Sequence, residues 1–507
     1  MLAKTGSVAL IGVDAHLVDV EVDVNTGVPK FTIVGLPAKS VTEAQQRTRS
    51  ALEASQERWP PARVVANLAP AGLRKDGTHF DLPIAIGLIA ADKRLDGSAI
   101  NEWVMLGELA LDGSIRRVRG VLAAALACKK GGKRGLVCPS ANAAEAAIVD
   151  GLEIVAVSSL TDCVAFFRGK WEPPELAPVH LASTTTHEDL SDVRGQGPAK
   201  AALEIAAAGG HNLLMAGPPG SGKTMLARRM PSILPPMTMD EALEVTRIHS
   251  VAGLLPEGEA LVSERPCRAP HHHISTSGLI GGGSRLASPG EATLAHQGVL
   301  FLDEIALFRR DALESLRGPI EEGSVRIARV GGSVSLPCRF SLVAAMNPCP
   351  CGYFENPVTR CRCTTVQLQS YQARLSGPLL DRFDIYVALS PCSKEQLLGP
   401  PDGDSSSTVR ERVQMARAIQ IDRYGSGLRT NASASKSEFD RSVNLTKEAR
   451  VHTGSLIESL GLSGRGAARL LRVARTLADL AAREQLEEEH IGQAMLLRQS
   501  GAHLVAA

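Results

Sequence analysis

The segment LVDVEVDV places Val18, Val20, Val22 and Val24 on one face and Asp19, Glu21 and Asp23 on the other. Alternation with period two predicts a half-buried strand. Helix-like runs follow at 38–56 and 81–93, then a strand–turn pattern in GELALDGSIRRVRG. The pattern breaks in WEPPELAPVHLASTTTHEDL, where prolines replace apolar periodicity, so a linker is expected at 171–187. From 188 to 392 short apolar runs alternate with helix-compatible stretches, the order of a mostly parallel α/β domain. A second polar break, PCSKEQLLGPPDGDSSST, predicts a linker at 393–407. Beyond it, RLLRVARTLADLAAREQLEEEHIGQAMLLR spaces Leu and Ala at three and four residues, which predicts a helical domain over 408–507. The first domain is then 1–170, and the chain contains no internal repeat.

Composition narrows this picture. A chain of 507 residues exceeds what one hydrophobic core usually spans. With 44% hydrophobic and 21% charged residues it is a globular, not a disordered, sequence. Aromatics are only 3%, so the cores rest on Val, Leu, Ile and Ala. The net charge of +1 argues neither for nor against nucleic acid, and any basic surface must be local. No run of 18 apolar residues occurs, and Asp14 interrupts the start before a signal-like core forms. A cytoplasmic protein without a membrane partner is expected. In that reducing setting the ten cysteines are free, catalytic or metal-bound sooner than disulfide-bonded.

The chemistry begins at GPPGSGKT, which comprises Gly217, Pro218, Pro219, Gly220, Ser221, Gly222, Lys223 and Thr224 and is followed by Met225. It matches G-x-x-x-x-G-K-[ST], with the apolar HNLLMAG before it and the helix-compatible MLARRM after it. Glycines let the backbone wrap phosphate, and a helix N-terminus adds positive potential. Lys223 would reach the terminal phosphates and Thr224 would hold Mg²⁺. Downstream, the apolar strand of GVLFLDEI emits Asp303 and Glu304. Unpaired buried carboxylates are costly, so the pair needs a purpose. Asp303 would complete the Mg²⁺ shell, and Glu304 would polarise the attacking water. A third strand, FSLVAAMN, ends at Asn347, whose amide can orient that water.

Immediately after it, NPCPCGYFENPVTRCRC sets Cys349, Cys351, Cys361 and Cys363 in two Cys-x-Cys pairs. Two close thiolate pairs can converge on one tetrahedral ion, and zinc suits them. An Fe–S cluster, a redox pair and free thiols remain the alternatives. The spacer between the pairs is too small to fold alone, and a metal crosslink would give it shape.

The order of phosphate loop, LDE, strand-terminal Asn and LLDRFD resembles an AAA+ ATPase. RAPHHHIS, IGGG, PGEATLAHQGVLFLDE, MNPCPCG and RLSGPLLDRFD extend the resemblance over nearly the whole chain. They resemble the magnesium-chelatase-like family called YifB or ComM, related to the MCM helicases and the magnesium-chelatase ATPase subunit. The resemblance implies an α/β chain with a Lon-protease-like α+β N-terminal domain, an AAA+ P-loop ATPase domain and a C-terminal helical lid. It implies an arginine finger at Arg382, offered to ATP in a neighbouring subunit, and hence a ring, usually a hexamer. A salt bridge from Arg382 to Asp381 or Asp384 is the plainer alternative. Arg465 matches the lid's sensor-2 position, with Arg469 and Arg472 on compatible faces, and Val193 and Gln196 match the segment that packs on adenine.

In EEGSVRIARVGGSVSLPCRF two alternating runs flank Gly331-Gly332, a hairpin signal. By resemblance it is a pore hairpin whose Arg326 and Arg329 contact the DNA backbone. HHHISTSGLIGGGSRLASPG resembles the helix-2 insert; its adjacent histidines rarely converge and are expected to be structural or interface residues. RKDGTHFDLPIAIGLIA aligns with the segment that carries the Lon nucleophile, but no Ser–Lys pair is present and Thr78 is only a formal candidate. The function implied is an ATP-driven DNA motor for branched recombination intermediates and natural transformation, acting on single-stranded or branched DNA. A chelatase-type ATPase remodelling a protein partner and an ATP-dependent protease are the rivals. The implied cofactors are ATP and Mg²⁺, with Zn²⁺ on the four thiolates.

Overall fold

The computed structural model describes residues 1–176, 188–282, 288–329, 332–356, 359–400, 403–425, 427 and 429–499. The chain opens on two long antiparallel strands, Leu2–Ile11 and Asp14–Asn25. In the second, Val18, Val20 and Val22 are buried while Asp19, Glu21 and Asp23 are half-exposed, as the alternation requires. Val24 is only partly covered. These strands lie inside a seven-stranded sheet ordered Lys30–Val34, Arg63–Ala69, Asp14–Asn25, Leu2–Ile11, Trp103–Met105, Gly135–Pro139, Glu153–Val157.

Helices Ala44–Ala54 and Asp81–Ala91 fill the two expected helical runs. Every residue of Asp81–Ala91 is buried, which its unbroken apolar sequence allows. Asp81 is tolerated there because Arg47 donates two hydrogen bonds to it, at 2.6 and 2.9 Å. Burial still pushes its carboxyl up to about 6. The GELALDGSIRRVRG pattern forms the short hairpin Glu108–Leu109 with Ile115–Arg116. Residues 177–187 of the expected linker lie outside the described residues.

The second sheet is parallel throughout, ordered Cys267–Arg268, Val299–Leu302, Ser341–Met346, Leu213–Ala216, Ile385–Ala388. Its three inner strands are buried at every position, the run expected where both faces are covered. Leu213, Met215, Phe301 and Val343 pack toward one core with Leu470 and Val473 of the C-terminal helices. Leu214, Ala216, Leu300, Leu302 and Ala344 pack into another core. A parallel sheet carries all its C-terminal strand ends to one edge, so Gly217, Asp303 and Asn347 leave it together.

The second expected linker differs from the sequence reading. Lys394–Leu398 is a helix, closed by a capping box between Ser393 and Gln396, and the next helix, Ser406–Tyr424, starts before 408. Lys436–Ser442, Lys447–Leu460, Gly464–Leu480 and Glu488–Gln499 complete the helical C-terminal part. The hairpin pairs Ser324–Arg329 with Gly332–Pro337, with Arg329 opposite Gly332. Gly332 therefore belongs to a strand, and residues 330 and 331 lie outside the described residues.

The two sheets are joined by more than chain. The turn between the first two strands inserts Val13, 2% exposed, into the core that includes Val325 and Leu336 of the hairpin. Gly12, at φ +65°, lies so near Val334 that a Cβ would stand 2.5 Å from its Cγ1. Asp14 pairs with Arg247 at 2.9 Å, and Ser250 donates to the buried Glu145 carboxylate at 2.5 Å.

Candidate functional site

The central strand Leu213–Ala216 runs into Gly217, where a Cβ would stand 2.7 Å from the Leu389 carbonyl oxygen. Gly220 and Gly222 adopt φ of +76° and +90°, the left-handed region that glycine enters freely. Helix Lys223–Ile233 begins inside the motif, so its unpaired N–H groups face the loop. Lys223 Nζ donates to the carbonyls of Gly217 and Pro218 at 2.7 and 2.9 Å, and lies 3.2 Å from Asn347 Oδ1. Burial lowers its ammonium to about 8, against the opposing pull of Asp303 and Glu304. Met225, in the first turn, is exposed.

Thr224 donates its hydroxyl to Asp303 Oδ2 at 2.8 Å. Asp303 Oδ1 accepts the Glu304 N–H at 3.0 Å. The two oxygen-bearing side chains expected to hold Mg²⁺ are therefore adjacent, as a hard cation needs. Glu304 leaves the strand at φ +51° and is exposed. Asn347 is held from behind, its carbonyl accepting from Tyr371 Oη at 3.1 Å. Gln196, φ +58°, donates to the Ser390 carbonyl at 2.6 Å, one residue past the Leu389 that abuts Gly217. Val193 is buried in the adjoining core.

The four thiols converge. Cys349 Sγ stands 3.3 Å from Cys351 and 3.8 Å from Cys361, and Cys351 stands 3.5 Å from Cys361. All four sulfurs, Cys363 included, lie within 4.8 Å of one another. Tetrahedral thiolates at a Zn–S distance of about 2.3 Å would be about 3.8 Å apart, so the set fits one ion. Burial and its thiol neighbours push Cys349 up to about 12. Partial desolvation also acts on Cys351, yet backbone N–H groups of Arg362 and Tyr353 bring it down to about 6. A dication would deprotonate every coordinating thiol.

Other expected residues are placed elsewhere. Arg382 pairs with Glu321 at 2.6 Å, not with Asp381 or Asp384, and donates to the Pro378 carbonyl. Its carbonyl accepts from Asn212, which precedes Leu213, so Arg382 sits at the sheet edge opposite the phosphate loop. A four-residue strand separates those edges by about 13 Å. Asp384 instead lies 3.6 Å from Arg469. Arg472 donates to the carbonyls of Asn431, Ala432 and Ala434 and stacks on Phe439, a structural use. Arg382, Arg417, Arg469 and Arg472 line one open cleft of about 780 Å³. Arg465 is exposed in the first turn of Gly464–Leu480. Arg326 is 77% exposed and 3.7 Å from Glu322; the side chain of Arg329 lies outside the described residues.

One sequence expectation changes in detail. The nitrogens of His271, His272 and His273 do converge, within 4.8 Å, because the loop turns back until the His273 N–H meets His271 Nδ1 at 3.3 Å. Thr78 donates its hydroxyl to Glu108, while the fully buried Lys75 donates to the Pro70 carbonyl. Gly352, which approaches Pro219 of the phosphate loop, and Tyr371, which bonds the Asn347 carbonyl from the following helix, carry no sequence signal beyond a glycine and an aromatic.

The family described as magnesium chelatase, subunit ChlI, matches residues 189–397. Its companions, subunit ChlI of Mg-chelatase and the subunit ChlI C-terminal region, match residues 20–142 and 403–498. Competence protein ComM of Haemophilus influenzae is 42% identical over 503 residues, covering 97% of each chain. An uncharacterized protein of Mycobacterium tuberculosis is 41% identical over 505 residues, 99% of each. The uncharacterized protein YifB of Escherichia coli is 40% identical over 492 residues, 97% of this chain and 96% of that one. With the phosphate loop, its Thr224–Asp303 pair and these full-length matches together, the chain belongs to the ComM/YifB family of magnesium-chelatase-like AAA+ ATPases.

Proposed function

We propose that this chain is the subunit of a cytoplasmic, homo-hexameric ring motor that uses ATP to translocate on DNA and to unwind or migrate branched recombination intermediates. The observation that carries this reading is continuity between the hairpin and the nucleotide site. The hairpin strand Gly332–Pro337 leads through three residues into Ser341–Met346, whose end, Asn347, bonds Lys223. A shift of Asn347 on loss of the γ-phosphate is thus transmitted along one short segment to a hairpin bearing Arg326 and Arg329. Arg382 stands too far from its own phosphate loop to touch that nucleotide, which suits a finger serving the next subunit in a ring. Arg465 would act as sensor 2 from the helical lid; Arg469, which shares the Arg382 cleft, could take that role only toward the nucleotide of a neighbouring subunit. The Haemophilus influenzae relative is named a competence protein, and the substrate proposed for this chain is DNA. The Lon-like N-terminal domain serves as a scaffold or DNA platform, since Thr78 is engaged by a carboxylate rather than a lysine.

A chelatase-type ATPase that remodels a protein partner is the second reading, favoured by the family descriptions of all three segments. Steady-state ATPase activity with and without single-stranded or forked DNA separates them. The motor requires stimulation by DNA and separation of the fork. A turnover rate indifferent to both DNAs, with the fork left paired, overturns it and moves the chelatase-type reading ahead.

A further inference from the structure

The thiol segment does more than hold itself together. Gly352, beside Cys351, adopts φ +85° and lies where a Cβ would stand 2.5 Å from Pro219 Cδ in the phosphate loop. That approach is closer than a residue with a side chain permits. Cys349 follows Asn347 by two residues, and Tyr371, in the helix that leaves the segment, donates to the Asn347 carbonyl. The segment therefore touches the nucleotide loop at Pro219 and supports Asn347, the Lys223 partner, at its backbone. Cys349 is fully buried, whereas Cys351 and Cys361 are half-exposed with sulfurs 3.5 Å apart.

We propose that this segment is a redox-controlled brace on the nucleotide site, in which a peroxide-class oxidant joins Cys351 to Cys361 and withdraws Gly352 from Pro219, slowing ATP hydrolysis. It rests on the readings that the chain hydrolyses ATP and that the four thiolates hold one zinc. In the step, two thiolates lose two electrons and form one S–S bond. With hydrogen peroxide the O–O bond accepts those electrons and breaks to two hydroxides, which take up two protons from the buffer and leave as two water molecules; Zn²⁺ departs with two of its four ligands gone. A disulfide is about 2.05 Å long, so the sulfurs must close by about 1.5 Å. Misplacement by about an ångström slows a positioned reaction by up to about a hundredfold.

Purified full-length protein treated with hydrogen peroxide tests the proposal. Zinc release to a chromogenic chelator, peptide mapping of the alkylated chain and ATP turnover are followed together. One zinc released per chain, a Cys351–Cys361 bridge and a fall in turnover of about tenfold or more are expected, reversed by dithiothreitol plus zinc. Gly352→Ala, which crowds Pro219 while leaving the thiols intact, should keep its zinc and still turn over slowly. Protein that carries no zinc yet slows on bridging removes the zinc reading and retains the brace. A bridge that forms while turnover is unchanged, or a Gly352→Ala protein as fast as wild type, overturns the brace.

Discussion

Lys223 ties nucleotide affinity to pH. Its ammonium is largely withdrawn from water, and burial brings it from 10.5 to about 8. Only the cation attracts the terminal phosphates, and a bound phosphate in turn holds the proton on the amine. The free chain loses this charge as the pH rises through about 8, so above that point binding must take up a proton and affinity falls. At a pH one unit above 8 about one chain in eleven keeps the charge, which weakens binding about tenfold, or ~1.4 kcal/mol. The phosphate confuses the measurement little, because its second ionisation lies near pH 6 and is about nine-tenths complete already at pH 7. Equilibrium titration of Mg²⁺–ATP into Glu304→Gln protein, from about pH 7 to about pH 9, reads the slope without turnover. Lys223→Ala should lose two charge-assisted hydrogen bonds, ~3–6 kcal/mol in all, and show no slope above pH 7.5. A wild-type Kd that stays flat across the same range refutes the desolvated-lysine argument.

Glu304→Gln should bind nucleotide as the wild type does and hydrolyse it about 10²–10⁴-fold more slowly, the scale of a lost general base; normal turnover would reject Glu304 as the base. Metal analysis should find about one zinc per chain in the wild type and none in Cys361→Ser/Cys363→Ser, as a closed thiolate site requires; equal zinc in both would remove the site. Arg329→Ala should keep basal ATPase yet bind DNA more weakly whatever its sequence, with a lower salt slope and no fork unwinding. Unwinding at the wild-type rate by an assembled Arg329→Ala protein would refute the pore assignment, and Arg326→Ala, whose charge already has Glu322 beside it, should do less.

Much of this was legible because the sequence is locally consistent. The phosphate loop is contiguous, so its glycines, lysine and threonine could be placed without knowing the fold. Asp303 and Asn347 followed from apolar strands that end in a polar residue, since a parallel sheet gathers such ends at one edge. The alternation at Val18–Val22 specified a strand and its buried face. What stayed hidden depends on contacts distant in sequence. Arg382 has two carboxylates close by in sequence, yet its partner is Glu321, set by how helix Arg317–Glu322 packs beneath it. The helix Lys394–Leu398 was masked by surrounding Pro, Gly and Ser, although its Ser393-x-x-Gln396 box was readable. Gly352 and Pro219 are far apart in sequence, and nothing in either segment announces their contact.

The Val13 turn bears on how such chains can be taken apart or recombined. A polar, proline-rich connector invites the picture of beads on a string, each bead exchangeable. Here a side chain worth about 1.5–3 kcal/mol of burial belongs to the first sheet but spends that energy in the core beneath the hairpin. Excising the front unit would leave Val334 and Leu336 facing water, and grafting another would demand a turn with the shape of Gly12–Val13. The seam between the units is thus fitted, not tethered, and inheritance should carry the turn and the hairpin base as one piece.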